Sequence, residues 1–300
     1  MRTVVSRVAG NHRAEHAEGP CWDPRLDKLL WVDQYAGLVH QANFDADTRY
    51  LEVEHSFQVG APAGAVAPSI GPDGGWLLAA GHGFAHMSHD GTVTRLGQPE
   101  ADAGQRMRMN DGKADPRGAL WAGSMAFGKQ PGAGSLYRLD PDGTITVART
   151  RTTISNGLAF SPDGDWLYYI DTPTQRVDRF HIAADGRLTD QATAVTIDPS
   201  LGHPDGMCID AEGCLWVALW DGCAVHRYTP AGELLAIVEV DAPQVSSCTF
   251  GGPDLGTLFI TTSAENMTGA QRARHEHSGK IFCADVGVKG LPADAYAPKP

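Results

Sequence analysis

The sequence predicts an all-β fold, a six-bladed β-propeller with four-stranded antiparallel blades around a central channel, on three observations. Large apolar residues, Trp31, Leu78, Trp121, Tyr168, Trp216 and Phe259, recur 43 to 48 residues apart, the length of one four-stranded blade. Each follows a short apolar run and a turn built from Gly, Pro and Asp, the pattern of an antiparallel hairpin. Gly (35) and Pro (19) are both frequent without any collagen-like period, as a chain of many tight turns requires.

The units can be taken in order. Glu18-Gly-Pro-Cys-Trp22 leads through Asp23-Pro-Arg to Leu29-Leu-Trp31-Val, and Gly64-Ala-Val leads through Gly71-Pro-Asp-Gly74 to Trp76-Leu-Leu78. Asn110-Asp-Gly, Asn156-Gly-Leu-Ala-Phe160, Asp205-Gly-Met and Ser247-Cys-Thr-Phe250 open the remaining four, leading to Trp121, Tyr168, Trp216 and Phe259. Each unit supplies an inner strand, a second strand, a third strand and a more variable outer strand. A strand from Thr3 to Val8 is expected to complete the last blade and close the ring, removing two exposed edges. One domain, residues 1–300, is expected, with no linker. The segment from 264 to 279 departs from the unit, being long, polar and poor in β-formers, and reads as a loop or short helix over one face. Its Arg272, Arg274, His275 and His277 read as a solvated surface, since nothing orients them.

Composition narrows the function. Hydrophobic residues make up 42% of the chain, ample for a core, and the net charge is −12 with the acidic residues scattered. No basic patch of the kind that neutralises phosphates is present, so a nucleic-acid partner is not expected. No apolar run is long enough to span a bilayer and the first residues lack the apolar segment of a secretory signal, so no membrane partner is expected and the protein is expected to be soluble and cytoplasmic. The six cysteines contain no CxxC pair and read as small buried hydrophobes in a reducing compartment, with Cys208 and Cys214 the neighbours that could pair. There is no GxSxG elbow and no HExxH, and Gly132-Ala-Gly134 precedes a strand rather than a helix, so no nucleotide cofactor is expected.

The repeat gives meaning to four polar residues. Glu18, Asn110, Asn156 and Asp205 sit 11 to 13 residues ahead of the second-strand anchors of their units, while small residues near Ala65 and Ser247 stand there in the other two. Inner strands ring the channel, so equivalent positions converge on its axis at one end. Glu18 and Asp205 would raise each other's pKa unless a cation lay between them. Carboxylate and amide oxygens without thiolate or imidazole favour a hard ion, Ca²⁺, Mg²⁺ or Mn²⁺, over a structural zinc.

The motifs Glu18-Gly-Pro-x-Trp22, Arg108-x-Asn110-Asp111-Gly112-Lys113, Ser155-Asn156-Gly157-Leu158, Pro204-Asp205-Gly206-Met207 and Cys248-x-Phe250-Gly-Gly252, in this order, resemble the SMP-30/gluconolactonase/luciferin-regenerating-enzyme family, the regucalcin family. The resemblance covers nearly the whole chain. It implies a six-bladed propeller with one divalent cation at its centre, Ca²⁺ first and Mg²⁺, Mn²⁺ or Zn²⁺ as alternatives, and hydrolysis of a sugar lactone as the usual activity. It implies Glu18, Asn156 and Asp205 as metal ligands, the same set as the repeat, and Arg108 and Asn110 as residues that hold the substrate. Arg108 and Asn110 are two apart on an extended segment, so both can face the channel while Met109 faces away. After Gly123-Ser-Met125 some members carry acidic residues that touch the sugar, whereas this chain has Ala126-Phe127-Gly128-Lys129, and its pocket is expected to differ.

These residues fit metal-assisted hydrolysis of an aldonolactone to the aldonic acid, with Asp205 as metal ligand and general base towards water. Two other readings remain open at this point: phosphotriester hydrolysis on a similar oxygen ring, and a non-catalytic calcium-binding propeller. The particular lactone and the oligomeric state are not specified by the sequence.

Overall fold

The computed structural model describes residues 1–72 and 74–299; Asp73, in the predicted turn of the second unit, and Pro300 lie outside the described residues. Six antiparallel sheets follow one another along the chain. Their inner strands are Ala17–Asp23, Ala63–Pro68, Met107–Ala114, Ser155–Phe160, His203–Ile209 and Val245–Gly251. Each packs against the inner strands of both neighbours, and the last packs against the first, which closes the ring. These strands are largely buried on both faces, and outside their few polar positions they consist mainly of small and apolar residues. Outer strands such as Ile145–Thr152 are largely exposed and polar.

The core is six wedges between blades rather than one centre, because each blade must bury both faces of its sheet. Leu30 packs into the wedge between blades 1 and 2, Leu77 between 2 and 3, Trp121 between 3 and 4, Tyr168 between 4 and 5, Trp216 between 5 and 6, and Phe259 between 6 and 1. Trp31 and Leu78, the anchors expected in blades 1 and 2, point instead into the wedge with the preceding blade. The cause is the two-residue period of a strand, in which a one-residue slip moves a side chain to the opposite face.

In three blades the first hairpin is tied down by an aspartate of its turn. Asp115 accepts hydrogen bonds from the Arg117 and Ala119 N–H groups and from the Trp121 indole N–H at 2.7 Å. Asp210 does the same for Glu212, Cys214 and Trp216. Asp23 accepts from the indole of Trp76 in the next blade, and pairs with Arg25.

Ring closure differs from the expected single strand. Arg7–Val8 pairs antiparallel with Phe282–Asp285 as the outer strand of the last blade, whereas Arg2–Val5 pairs parallel with Leu234–Glu239 and adds a fifth strand to blade 5. The amino terminus therefore staples two blades. The six cysteines are free; Cys208 lies nearest Cys248, with sulfurs 3.7 Å apart, and Cys223 is exposed rather than buried. The 264–279 segment holds a short helix, Gly269–Arg274, opened by a Thr268/Gln271 capping box. Its Arg272 pairs with Glu15, and its His277 with Asp241. Among the described residues no helix is long and apolar enough to cross a membrane.

Candidate functional site

All six inner strands carry a pairing irregularity at the same level. A bulge adds a residue without a partner and re-aims its neighbours, and here it turns one residue per blade towards the axis. Counting back three residues from the partner of each wedge residue (Cys21, Ala67, Lys113, Ala159, Cys208 and Thr249) gives Glu18, Gly64, Asn110, Asn156, Asp205 and Ser246. The four polar positions expected from the repeat are thus equivalent. In blades 2 and 6 the equivalents are Gly64 and Ser246, one residue before Ala65 and Ser247. Gly64 admits no side chain, since a Cβ there would stand 2.0 Å from the Asn110 carbonyl oxygen.

Glu18, Asn110, Asn156, Asp205 and Arg108 line one pocket of about 410 Å³ at a single mouth of the channel. Asn156 has a fixed orientation. The Thr172 hydroxyl donates its one proton to the Pro204 carbonyl at 2.8 Å, so it can only accept from Asn156, at 2.9 Å. The Asn156 amino group therefore faces Thr172 and its Oδ1 faces the pocket, where it accepts from Asn110 Nδ2 at 2.9 Å. Asn110 is oriented by the same logic, because Arg108, which can only donate, gives a 2.6 Å hydrogen bond to its Oδ1. Arg108 is 4% exposed, also donates to the Met109 carbonyl, and lies over the ring of Tyr35 at 5.2 Å. Its Nε is buried without a partner among the described residues. Met109 faces away into the wedge between blades 2 and 3.

The electrostatics match a cation site. Burial pushes the Glu18 carboxyl well above the usual range, and the charges of Asp205 and Asp111 push it further, against weaker opposition from the Gly19 N–H and Arg108. Asp205 is raised by burial, then by Asp111 and Glu265, with Lys129 and Arg108 opposing. Two carboxylates forced towards protonation beside an amide oxygen held inward form an all-oxygen donor set that a hard divalent cation would satisfy. Glu18, Asn156 and Asp205 are the residues that could hold it.

The pocket also contains Lys129, from the segment expected to alter it, and His16, Tyr35, Thr172, Trp220 and Glu265, which were not picked out from the sequence. Tyr35 donates to Glu265 Oε1 at 2.9 Å, and Arg108 donates to the Tyr35 oxygen at 3.3 Å. Burial would raise Glu265, but the nearby His16, with Tyr35 and Lys129, overcomes it and holds the carboxyl at about 2. Burial lowers the His16 imidazole below its ordinary value, against the pull of Glu265. A signal for most of these was available. Tyr35, Lys129, Thr172, Trp220 and Glu265 all lie at or just past the end of a second strand, a location that recurs in every blade and faces the same mouth.

Beyond the mouth the channel holds a second cavity of about 340 Å³, lined by Asp111, Lys113 and the tail residues Leu291 to Asp294. The tail crosses that end of the ring, joined to Leu255 by the Gly290 N–H and to Pro68 and Gly118 by the Tyr296 and Ala297 N–H groups. The tail therefore lies across the end of the channel away from the four polar residues.

Fold and site together define a six-bladed propeller with an oxygen-rich pocket at one end of its axis. The chain belongs to the SMP-30/gluconolactonase/LRE-like family, whose sequence profile matches residues 16–264. It is 35% identical to regucalcin of Xenopus laevis, over 93% of this chain and 94% of that one. It is 32% identical to a 6-deoxy-6-sulfogluconolactonase of Pseudomonas putida, again over 93% and 94%. The fold superposes on the crystal structure of a calcium-binding protein, regucalcin, of Agrobacterium tumefaciens with a TM-score of 0.89, at 28% identity over 99% of both chains.

Proposed function

We propose that this protein hydrolyses a sugar lactone to the aldonic acid, with one divalent cation held by Glu18, Asn156 and Asp205. The observation that carries the reading is the pair of buried carboxylates beside an inward-fixed amide oxygen, at the floor of a pocket large enough for a monosaccharide ring. The relatives named as lactonase and as calcium-binding protein support it. When bound, the cation would supply Lewis-acid polarisation of the lactone carbonyl and a lowered pKa for water, Ca²⁺ being the first choice for an all-oxygen set.

The chain's own residues supply the rest. Arg108, a buried guanidinium whose Nη2 gives one of its two protons to Tyr35, keeps a donor for substrate oxygens and orients the ring. Asn110, whose amide is spent on Arg108, Asn156 and Ser155, braces Arg108 against the site. Asp205 takes the proton of the attacking water as general base. Water oxygen adds to the carbonyl carbon, the ring C–O bond breaks, and the leaving oxygen receives a proton, giving the hydroxy acid.

The test is proton release from a panel of δ- and γ-aldonolactones and one phosphotriester, with each divalent metal returned to stripped protein. Turnover of at least one aldonolactone, and its loss together with metal binding in Asp205→Ala, is the expected result. Wild-type turnover in Asp205→Ala would remove the assignment. Tight metal binding with no lactone turnover would leave a calcium-binding propeller, and turnover of the phosphotriester alone a different hydrolase.

A further inference from the structure

Glu265 has hydrogen-bonding capacity that nothing among the described residues uses. Its Oε1 already accepts from the Tyr35 hydroxyl at 2.9 Å and from Asn266 Nδ2 at 3.1 Å. Its Oε2 has His16 Nδ1 at 3.5 Å, too long for a good hydrogen bond, and that nitrogen is engaged with the Ser263 hydroxyl at 2.9 Å. The Glu265 side chain is 16% exposed, and the surface it shows lines the pocket that holds Glu18, Asn156 and Asp205. Its backbone is pinned on both sides, the N–H donating to the Ser263 hydroxyl and the carbonyl accepting from Gln244. The result is a rigid, ionised acceptor that lines the pocket and whose Oε2 has no good hydrogen-bond partner among the described residues. Beside it Trp220 offers an apolar face next to His16, ring centres 5.6 Å apart.

A second observation gives this oxygen its purpose. The segment after Met125 contributes no carboxylate to the pocket but Lys129, which stands exposed at its rim. Glu265 enters from another blade, through the polar segment that departs from the repeat.

We propose that Glu265 is a substrate-specificity residue that accepts hydrogen bonds from ring hydroxyls, and that Tyr35 and His16 position it, so that the pocket selects polyhydroxylated lactones over alkyl lactones. This rests on the reading of the site as a sugar lactonase. The physical basis is asymmetric: a lactone without hydroxyls desolvates Oε2 and returns nothing, whereas a sugar ring replaces the lost water.

The experiment compares wild type with the isosteric Glu265→Gln on D-glucono-1,5-lactone and δ-valerolactone, which has the same ring without hydroxyls. A parallel calorimetric titration uses 1,5-anhydro-D-glucitol, a sugar ring with no carbonyl to hydrolyse. The expected result is a fall of about tenfold to a hundredfold in the ratio of kcat/KM for the sugar lactone to that for valerolactone, the range for loss of a hydrogen bond to a charged acceptor. The fall should be carried mainly by KM, and anhydroglucitol binding should weaken by a similar factor. A ratio unchanged within about twofold, or an equal loss on both lactones, would overturn the proposal. So would a wild type that does not bind anhydroglucitol. If wild type turns over neither lactone, the lactonase reading fails by itself, and weaker anhydroglucitol binding in Glu265→Gln still supports Glu265 as the acceptor of sugar hydroxyls.

Discussion

Replacing Thr172 by valine should weaken metal binding without touching a ligand. The Thr172 hydroxyl ties together two parts of the site, donating to the carbonyl of Pro204, next to Asp205, and accepting from the amino group of Asn156. Valine keeps the shape and removes both bonds. The Asn156 amino group and the Pro204 carbonyl then lose a partner, at about 1 to 3 kcal/mol for each group left unsatisfied. The carboxamide regains a partner only by tilting or rotating, which carries Oδ1 away from the pocket. Loss of an outer partner of a metal ligand typically costs ten- to a hundredfold in affinity, about 1.4 to 2.8 kcal/mol. Calorimetric titration of Ca²⁺ into stripped protein checks this, with Thr172→Ser, which keeps the hydroxyl, as the control within about threefold of wild type. Equal dissociation constants for wild type and a folded Thr172→Val would refute the orientation assigned to Asn156, and with it that residue's place among the ligands.

The channel carboxylates and the hairpin turns give two more expectations. Burial raises Asp111 to about 6 against Lys113 and the Gly112 N–H. A carboxyl whose folded pKa lies above its unfolded value stabilises when protonated, so this contribution is complete below about pH 4 and is lost as pH rises through about 6. In metal-stripped protein, Tm of wild type relative to Asp111→Asn should therefore fall over that interval, and a constant or rising difference would contradict the burial of the charge. Asp115→Ala leaves the Trp121 indole and the Ala119 N–H without their acceptor. Urea unfolding should show a loss of about 3 to 5 kcal/mol, and a loss under 1 kcal/mol would mean that the turn aspartate is replaceable by water.

The sequence by itself determined the number of blades, the order of strands within each and the four oxygen-bearing residues that meet, because a repeat of fixed length places equivalent residues at equivalent heights. It also marked Asp205, Glu18 and Asn156 as a set. The finer register could not be read in the same way. Adjacent large residues such as Leu30 and Trp31 satisfy the same apolar pattern, and only pairing with Cys21 shows which faces the next blade. The amino-terminal strand could be assigned to an edge but not divided between two blades, since free edges attract any extended segment alike. Tertiary structure alone decided that Asn110 spends its amide on Arg108 and Asn156, that Thr172 turns Asn156 inward, and that Glu265 reaches the mouth beside Tyr35 and His16. Several of these contacts join residues from different blades, Asn110 to Asn156, Thr172 to Pro204 and Tyr35 to Glu265, and their geometry depends on how far each loop leans over the channel, which no spacing along the chain encodes.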